Sequence, residues 1–181
     1  MKQPAIIVDV NGTLGDCSNR MHFLNQEPRD WEGFFRHMLL DTPVDFVHRF
    51  CNAQPNEPFW CKVILTTGAP EKYRSLMIEW LEKHKVHYDH LYMRGNHEYI
   101  KGYVWKKKLY EDELQHKYDV VCILEDKDEC AIMYRELGLH CWVVAPCPYP
   151  RQESVTVEPT STRATTRGRR QLSRGRAPKP R

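Results

Sequence analysis

No apolar run in this chain approaches the roughly 18 residues that a membrane-spanning helix needs, so functions built on such a helix are excluded and no membrane partner is expected. The seven cysteines (Cys17, Cys51, Cys61, Cys122, Cys130, Cys141 and Cys147) form no Cys-x-x-Cys pair or other compact metal-ligand spacing, which removes zinc-ribbon and dithiol redox chemistry. Seven thiols cannot all pair. Cys61, Cys122 and Cys141 sit in apolar runs where a free thiol behaves as a small hydrophobe, so reduced, buried filler is the expected role. His84, His87 and His90 fit no compact zinc spacing either and read as a solvated helix end. No signal-peptide pattern precedes the first strand-like run, and a cytoplasmic location is the expectation. There is no internal repeat. A Gly-x-x-x-x-Gly-Lys-Ser/Thr loop is also missing, so kinase chemistry of the phosphate-loop type is not encoded.

What is present is a chain of 181 residues, enough for one well-packed domain and too short for two full ones. The net charge of +3 conceals an asymmetry. From Arg151 onward, nine Lys or Arg face two Glu, giving +7, while the first 150 positions carry 18 basic and 22 acidic residues, giving −4. Residues 151–181 are rich in Ser, Thr, Arg, Gly and Pro, with too little apolar surface to order themselves. They read as a disordered Arg-rich tail behind a domain of residues 1–150. Its Arg167-Gly168-Arg169-Arg170 and Arg174-Gly175-Arg176 segments are of the kind that bind nucleic-acid backbones, with simple solubilisation as the other reading.

Strand-like runs fall at 5–10, 61–67, 90–94, 120–125 and 140–145, several of them continuously apolar as in strands covered on both faces. Helical patterns lie between them. Residues 70–85 place Tyr73, Leu76, Met77, Trp80 and Leu81 on one face, with Pro70 suited to a first turn. Two further helices are expected at 99–116 and 128–137, the second capped by Gly138. This alternation predicts an α/β fold, a doubly wound, mostly parallel, Rossmann-like sheet. The long stretch 15–60 needs structure of its own, and Trp31, Phe34, Phe35, Met38 and Leu39 at helical spacing predict a small helical cap over the carboxyl ends of the strands. Core packing explains these aromatics better than base stacking does.

Three carboxylates and a hydroxyl stand where such sheets place chemistry. Asp9 ends the first strand and turns at once through Gly12, offering an oxygen nucleophile able to form an aspartyl-phosphate. Thr67 and Gly68 close the second strand, where a hydroxyl and backbone amides can hold a phosphoryl oxygen. Thr66, one position away, faces into the fold. Glu125 and Asp126 follow the fourth strand, and adjacent acids after an apolar run are most economically explained by a hard cation such as Mg2+. Lys106, Lys107 and Lys108 are not separable by composition.

The run Asp9-Val10-Asn11-Gly12-Thr13 resembles the first motif of the haloacid dehalogenase (HAD) superfamily of phosphotransferases, normally Asp-x-Asp-Gly-Thr. Thr67-Gly68, Lys106 and Glu125-Asp126 match its later motifs in order. The narrower resemblance is to the phosphatase domain of phage-type polynucleotide kinase-phosphatases. It rests on Asp16-x-x-x-Arg20 with His22, the Trp31/Phe34/Phe35 cap, Tyr73, Arg74 and Trp80, the Met93-Arg94 and Lys101 to Lys106 segment, Glu136-x-Gly138 and Cys141-Trp142. That resemblance implies a magnesium-dependent phosphatase with Asp9 as nucleophile, Lys106 on the phosphate, and Asp9, Asp126 and the backbone carbonyl of residue 11 as metal ligands. Arg20 and Arg94 are candidate contacts to substrate phosphate or base, and buried ion pairs would explain them equally well. Arg74 is a weaker candidate of the same kind.

Asn11 is the departure. The resemblance implies that an aspartate there protonates the leaving oxygen, and asparagine keeps the carbonyl while losing the acid and base. The expected function is therefore a weakened HAD phosphatase acting on polynucleotide 3′-phosphate ends or nucleotides. The alternative is a non-catalytic module that binds phosphate ends or nucleic acid.

Overall fold

Ile6 and Val8 project into one apolar cluster and Ala5 and Ile7 into another, and all four are buried. A strand buried on both sides belongs in the middle of a covered sheet. The computed structural model, which describes residues 2–54 and 60–144, places it there. Along the chain come β1 (Gln3–Asp9), β2 (Gly15–Asp16), α1 (Trp31–Arg36), β3 (Thr42–Pro43), α2 (Asp45–Ala53), β4 (Lys62–Pro70), α3 (Arg74–Lys83) and β5 (His90–Arg94). They are followed by α4 (Gly102–Leu109), the three-residue α5 (Gln115–Lys117), β6 (Tyr118–Glu125), α6 (Asp128–Glu136) and β7 (Cys141–Val143).

Five strands form one parallel sheet in the order β5-β4-β1-β6-β7. The chain winds outward from β1 in one direction and then restarts on its other side. The reversal beside β1 is the switch point where α/β sheets open a crevice at their carboxyl ends, and Asp9 stands at that end of β1. The α/β expectation holds.

Several boundaries move for physical reasons. The strand expected at 61–67 continues through Gly68 to Pro70, with a register slip between Thr67 and Pro70 against β5. Pro70 ends that strand instead of opening a helix, and one 3-10 turn (Glu71–Tyr73) intervenes before α3. The expected helix 99–116 starts at Gly102 and contains a π-helical turn, Tyr110–Leu114. Gly138 has φ of 80°, and Leu139 N donates to Tyr134 O at 3.1 Å, closing α6 as the sequence implied.

The 15–60 insertion is not purely helical: β2 and β3 pair antiparallel beneath its helices. It is stitched to the sheet domain by Trp80 Nε1, which donates to Asp41 O at 2.9 Å, and by Val44 N, which donates to Leu14 O at 2.8 Å. The six cysteines among the described residues are buried and no disulfide joins them; Cys147 lies outside the described residues, as do Ala145 and the Arg-rich tail. His84 packs at a tilt against the Trp80 ring and His87 lies 3.8 Å from Asp89, so the histidine run builds no common site. Among the described residues, no helix is long and apolar enough to cross a membrane.

Candidate active site

Because β1 and β6 are neighbours in the sheet, their carboxyl ends bring Asp9, Glu125 and Asp126 together. All three are buried, and one oxygen from each lies within 4.8 Å of the others. Lys106 comes across from α4. Its Nζ donates to Asp9 Oδ1 at 2.5 Å and to Glu125 Oε2 at 2.6 Å. Lys107 and Lys108, on the exposed face of the same helix, point elsewhere. Thr13 Oγ1 donates to Asp9 Oδ2 at 3.3 Å. Thr13 carried no role in the sequence reading beyond its place in the motif.

Three buried carboxylates beside one paired ammonium leave negative charge uncompensated. Burial pushes the Asp9 carboxyl up to about 6 against the pull of Lys106. Burial, with Asp9 and Glu125 as neighbours, pushes Asp126 up to about 8. Both oxygens of Asp126 and Oε1 of Glu125 are buried without a hydrogen-bond partner. A hard divalent cation held by oxygens suits this donor set. Lys127 is also drawn in: it lines the cleft, and Asp126 and Asp9 raise its pKa against desolvation. Sequence reasoning missed Lys127, although its place directly after the acidic pair was a usable signal.

Asn11 sits in a fixed cradle. Its Nδ2 donates to Thr67 Oγ1 at 2.7 Å, and its Oδ1 accepts from Arg20 Nη2 at 2.8 Å. Thr67 Oγ1 also accepts from Ala69 N at 3.1 Å. The neighbouring Thr66 hydroxyl is buried and unpaired, facing away from this network. The turn after Asn11 depends on Gly12, whose φ of 99° favours glycine, with Gly12 N donating to Gly15 O at 2.8 Å.

Arg20 is placed differently from a substrate contact. Its guanidinium is buried and each of its nitrogens donates: Nε and Nη2 to Asp41 at 2.7 and 2.5 Å, and Nη1 to Phe34 O at 2.9 Å. Of the two readings open in the sequence, the buried ion pair is the one realised. Arg20 touches Asn11 and does not line the cleft. Asp41, its partner 21 positions away, carried no sequence signal of its own. Arg74 pairs with Glu71 and Leu91 O.

Outward from this floor runs a cleft of about 560 Å3. Gly68 lines it, and a Cβ there would meet nothing within 4 Å. Arg94 lines it as well, with its Nη1 donating to Ile100 O at 3.1 Å. The cap supplies α1. Glu32 on that helix accepts from Lys72 Nζ at 2.7 Å and from Tyr73 OH, tying the cap to the sheet domain beside the cleft. These donors, with Arg36, hold the Glu32 carboxyl down at about 2. The assembled groups can hold a phosphoryl group against a carboxylate nucleophile with cations around it.

Residues 3–149 match the family described as the polynucleotide kinase PNKP phosphatase domain. Among solved structures, the fold is similar to a chain of the Pnkp1/Rnl/Hen1 complex, with 30% identity and a TM-score of 0.66, covering 79% of this chain and 46% of that one. A chain of the Pnkp1/Rnl/Hen1 RNA repair complex is similar at 29% identity and the same TM-score, over 79% of this chain and 42% of that one. The protein thus spans less than half the length of these two. A hydrolase from Streptococcus pneumoniae TIGR4 shares the fold at 12% identity and a TM-score of 0.50, over 80% of this chain and 94% of that one. No curated protein matches in sequence.

Proposed function

Since the chain belongs to the HAD-type phosphatase-domain family of polynucleotide kinase-phosphatases, we propose that it is a slow, magnesium-dependent phosphomonoesterase acting on polynucleotide 3′-phosphate ends or nucleotides. One observation carries this: Asp9, at the end of β1, lies 2.5 Å from the Lys106 ammonium and beside the unpaired Asp126 carboxylate.

An Asp9 oxygen attacks phosphorus, forming an aspartyl-phosphate as the bond to the 3′ oxygen breaks. Lys106 and Lys127 supply positive charge to the phosphoryl oxygens, and the Gly68 backbone leaves room for them to approach. Water then attacks phosphorus, releasing phosphate and regenerating the Asp9 carboxylate. Asp9, Asp126 and the Asn11 carbonyl would hold Mg2+, which when bound neutralises charge on the phosphate. The 3′ oxygen leaves without a protein acid and takes its proton from solvent water, because Asn11 has no proton to give as a carboxylic acid does.

Release of phosphate from a 3′-phosphorylated oligonucleotide tests this. Slow release with magnesium and none with EDTA is expected. If neither the protein nor its Asn11→Asp form releases phosphate with any divalent cation, the non-catalytic binding reading replaces it. The cradle that holds the Asn11 amide is the observation favouring that second reading.

The relatives' presence in an RNA repair complex supports nucleic acid as the partner. The basic segment 151–181 would add a hold on the backbone through counterion release. Truncation after Pro150 then flattens the salt dependence of oligonucleotide binding, and an unchanged slope removes the tail from the interaction.

A further inference from the structure

Asn11 is followed by Gly12, whereas Asn19, Asn25, Asn52, Asn56 and Asn96 all precede larger residues. An asparagine can lose its amide group to the next residue in the chain. The following backbone nitrogen gives up its proton to water and bonds to the side-chain Cγ; the bond from Cγ to Nδ2 breaks and ammonia leaves, closing a succinimide ring. Water then opens that ring. Attack at Cγ restores the normal backbone and leaves aspartate, whereas attack at the main-chain carbonyl leaves isoaspartate, with the chain rerouted through the side chain. Glycine favours the closure because no Cβ obstructs its nitrogen and its backbone turns freely.

The fold opposes this reaction at each atom that must move. Gly12 is buried, and its N–H, the nucleophile, donates to Gly15 O at 2.8 Å. The turn around it is closed by Gly15 N and Leu14 N, which donate to Val10 O at 2.8 and 3.1 Å. Asn11 Cγ must rotate toward Gly12 N, yet both ends of the amide are held, Nδ2 by Thr67 Oγ1 at 2.7 Å and Oδ1 by Arg20 Nη2 at 2.8 Å. Thr67 belongs to β4 and Arg20 to the cap, where Asp41 and Phe34 O fix it. The hold therefore exists only when cap and sheet are assembled. An unfolded chain has none of these bonds.

We propose that Asn11 is a site of spontaneous covalent modification guarded by the fold: it converts to aspartate and isoaspartate through Gly12 while the turn is open, and persists as asparagine once Thr67 and Arg20 close on it. The conversion runs one way, since ammonia is lost. Its aspartate product carries the carboxyl that the chain lacks at position 11, while isoaspartate adds a methylene to the backbone of the turn beside Asp9. A preparation therefore gains activity according to how long it has been unfolded, and not according to its age. That gain, though not the conversion itself, rests on the phosphatase reading.

Peptide mass spectrometry of the full-length protein, incubated in mildly alkaline water enriched in heavy oxygen, tests this, since each conversion places a labelled oxygen in the peptide that holds Asn11. Conversion in the folded protein should run roughly 10- to 10³-fold slower than in urea that unfolds it, the worth of the three hydrogen bonds that must break. The rate should rise with urea along the unfolding curve. Thr67→Val, which takes the acceptor from Nδ2, should speed conversion in the folded protein and leave the unfolded rate unchanged; if that variant does not fold, the urea dependence of the parent decides alone. Equal rates in the folded and unfolded protein overturn the inference, as does conversion in the unfolded chain no faster at Asn11 than at Asn25 or Asn52. Phosphate release after refolding that rises with the aspartate fraction supports both the inference and the phosphatase reading. Labelling at Asn11 with no phosphate release from the refolded protein leaves the modification standing and overturns the phosphatase reading.

Discussion

Replacing Asn11 by aspartate raises phosphate release from a 3′-phosphorylated oligonucleotide by about 10²- to 10⁴-fold, the range that general acid–base catalysis supplies. The cradle accepts the change without rearrangement. Arg20 Nη2 already donates to Asn11 Oδ1 and would donate equally to a carboxylate oxygen. Thr67 Oγ1 accepts from the Asn11 amide, and a hydroxyl can rotate to donate instead. The added charge sits near Arg20, whose own partner is Asp41. Rates measured at equal concentrations of folded protein decide the matter. An unchanged rate means either that proton transfer to the leaving oxygen is not limiting, or that Arg20 holds the new carboxylate too firmly ionised to act as an acid.

Replacing Asp9 by asparagine abolishes phosphate release and, in EDTA, makes the protein more stable at neutral pH. The loss of activity follows from removing the nucleophile. The gain follows from the electrostatics of the floor, where Asp9 and Glu125 share Lys106 and the Asp126 carboxylate stands beside them. An acid whose folded pKa is raised, here from 3.8 to about 6, binds protons more tightly folded than unfolded. Ionised Asp9 therefore subtracts from stability. The penalty is absent below about pH 4, grows as pH rises toward about 6, and is constant above that. Removing it is worth on the order of 1–3 kcal/mol at pH 7. Thermal melts of both proteins at pH 3.5 and pH 7 check this: similar stability at the lower pH and a higher-melting variant at the upper one are expected. A variant that melts lower at pH 7 means that the Lys106 and Thr13 contacts to Asp9 outweigh its desolvation. Magnesium should narrow the difference, since an ion held by the parent's carboxylates stabilises the folded state by mass action.

The sheet was legible because Ile6-Ile7-Val8 and Cys122-Ile123-Leu124 are runs that only a doubly covered strand can bury. Pro70 misled at the next boundary: a residue without an N–H is tolerated at a first helical turn and equally at the end of a strand. In the site, the motif residues could be read from their places at strand ends. Lys106 could not be separated from Lys107 and Lys108, because only the rotation of α4 decides which ammonium reaches Asp9. Arg20 was undecidable for a related reason. Its partners, Asp41 and the Phe34 carbonyl, are brought to it by the folded cap, and nothing local announces them. Trp31 shares its spacing with Phe34 and Phe35, yet their rings are buried while half of its own is not.

The Arg20 guanidinium also bears on how the molecule comes apart. One side chain joins a carbonyl of the cap helix, the Asp41 carboxylate and the amide beside the nucleophile. Lifting the cap would leave the Arg20–Asp41 pair intact, since both lie within residues 15–60, but it would break the bond to Asn11 and expose the apolar cluster in which Phe34, Phe35, Met38 and Val47 pack with Val8, Leu65, Met77 and Trp80, at about 1.5–3 kcal/mol for each large side chain. That is a large share of the total stability of an ordinary domain. The cap therefore does not melt as a separate foldon ahead of the sheet; the two unravel in one cooperative step, and amide protons in α1 exchange with solvent no faster than global unfolding allows.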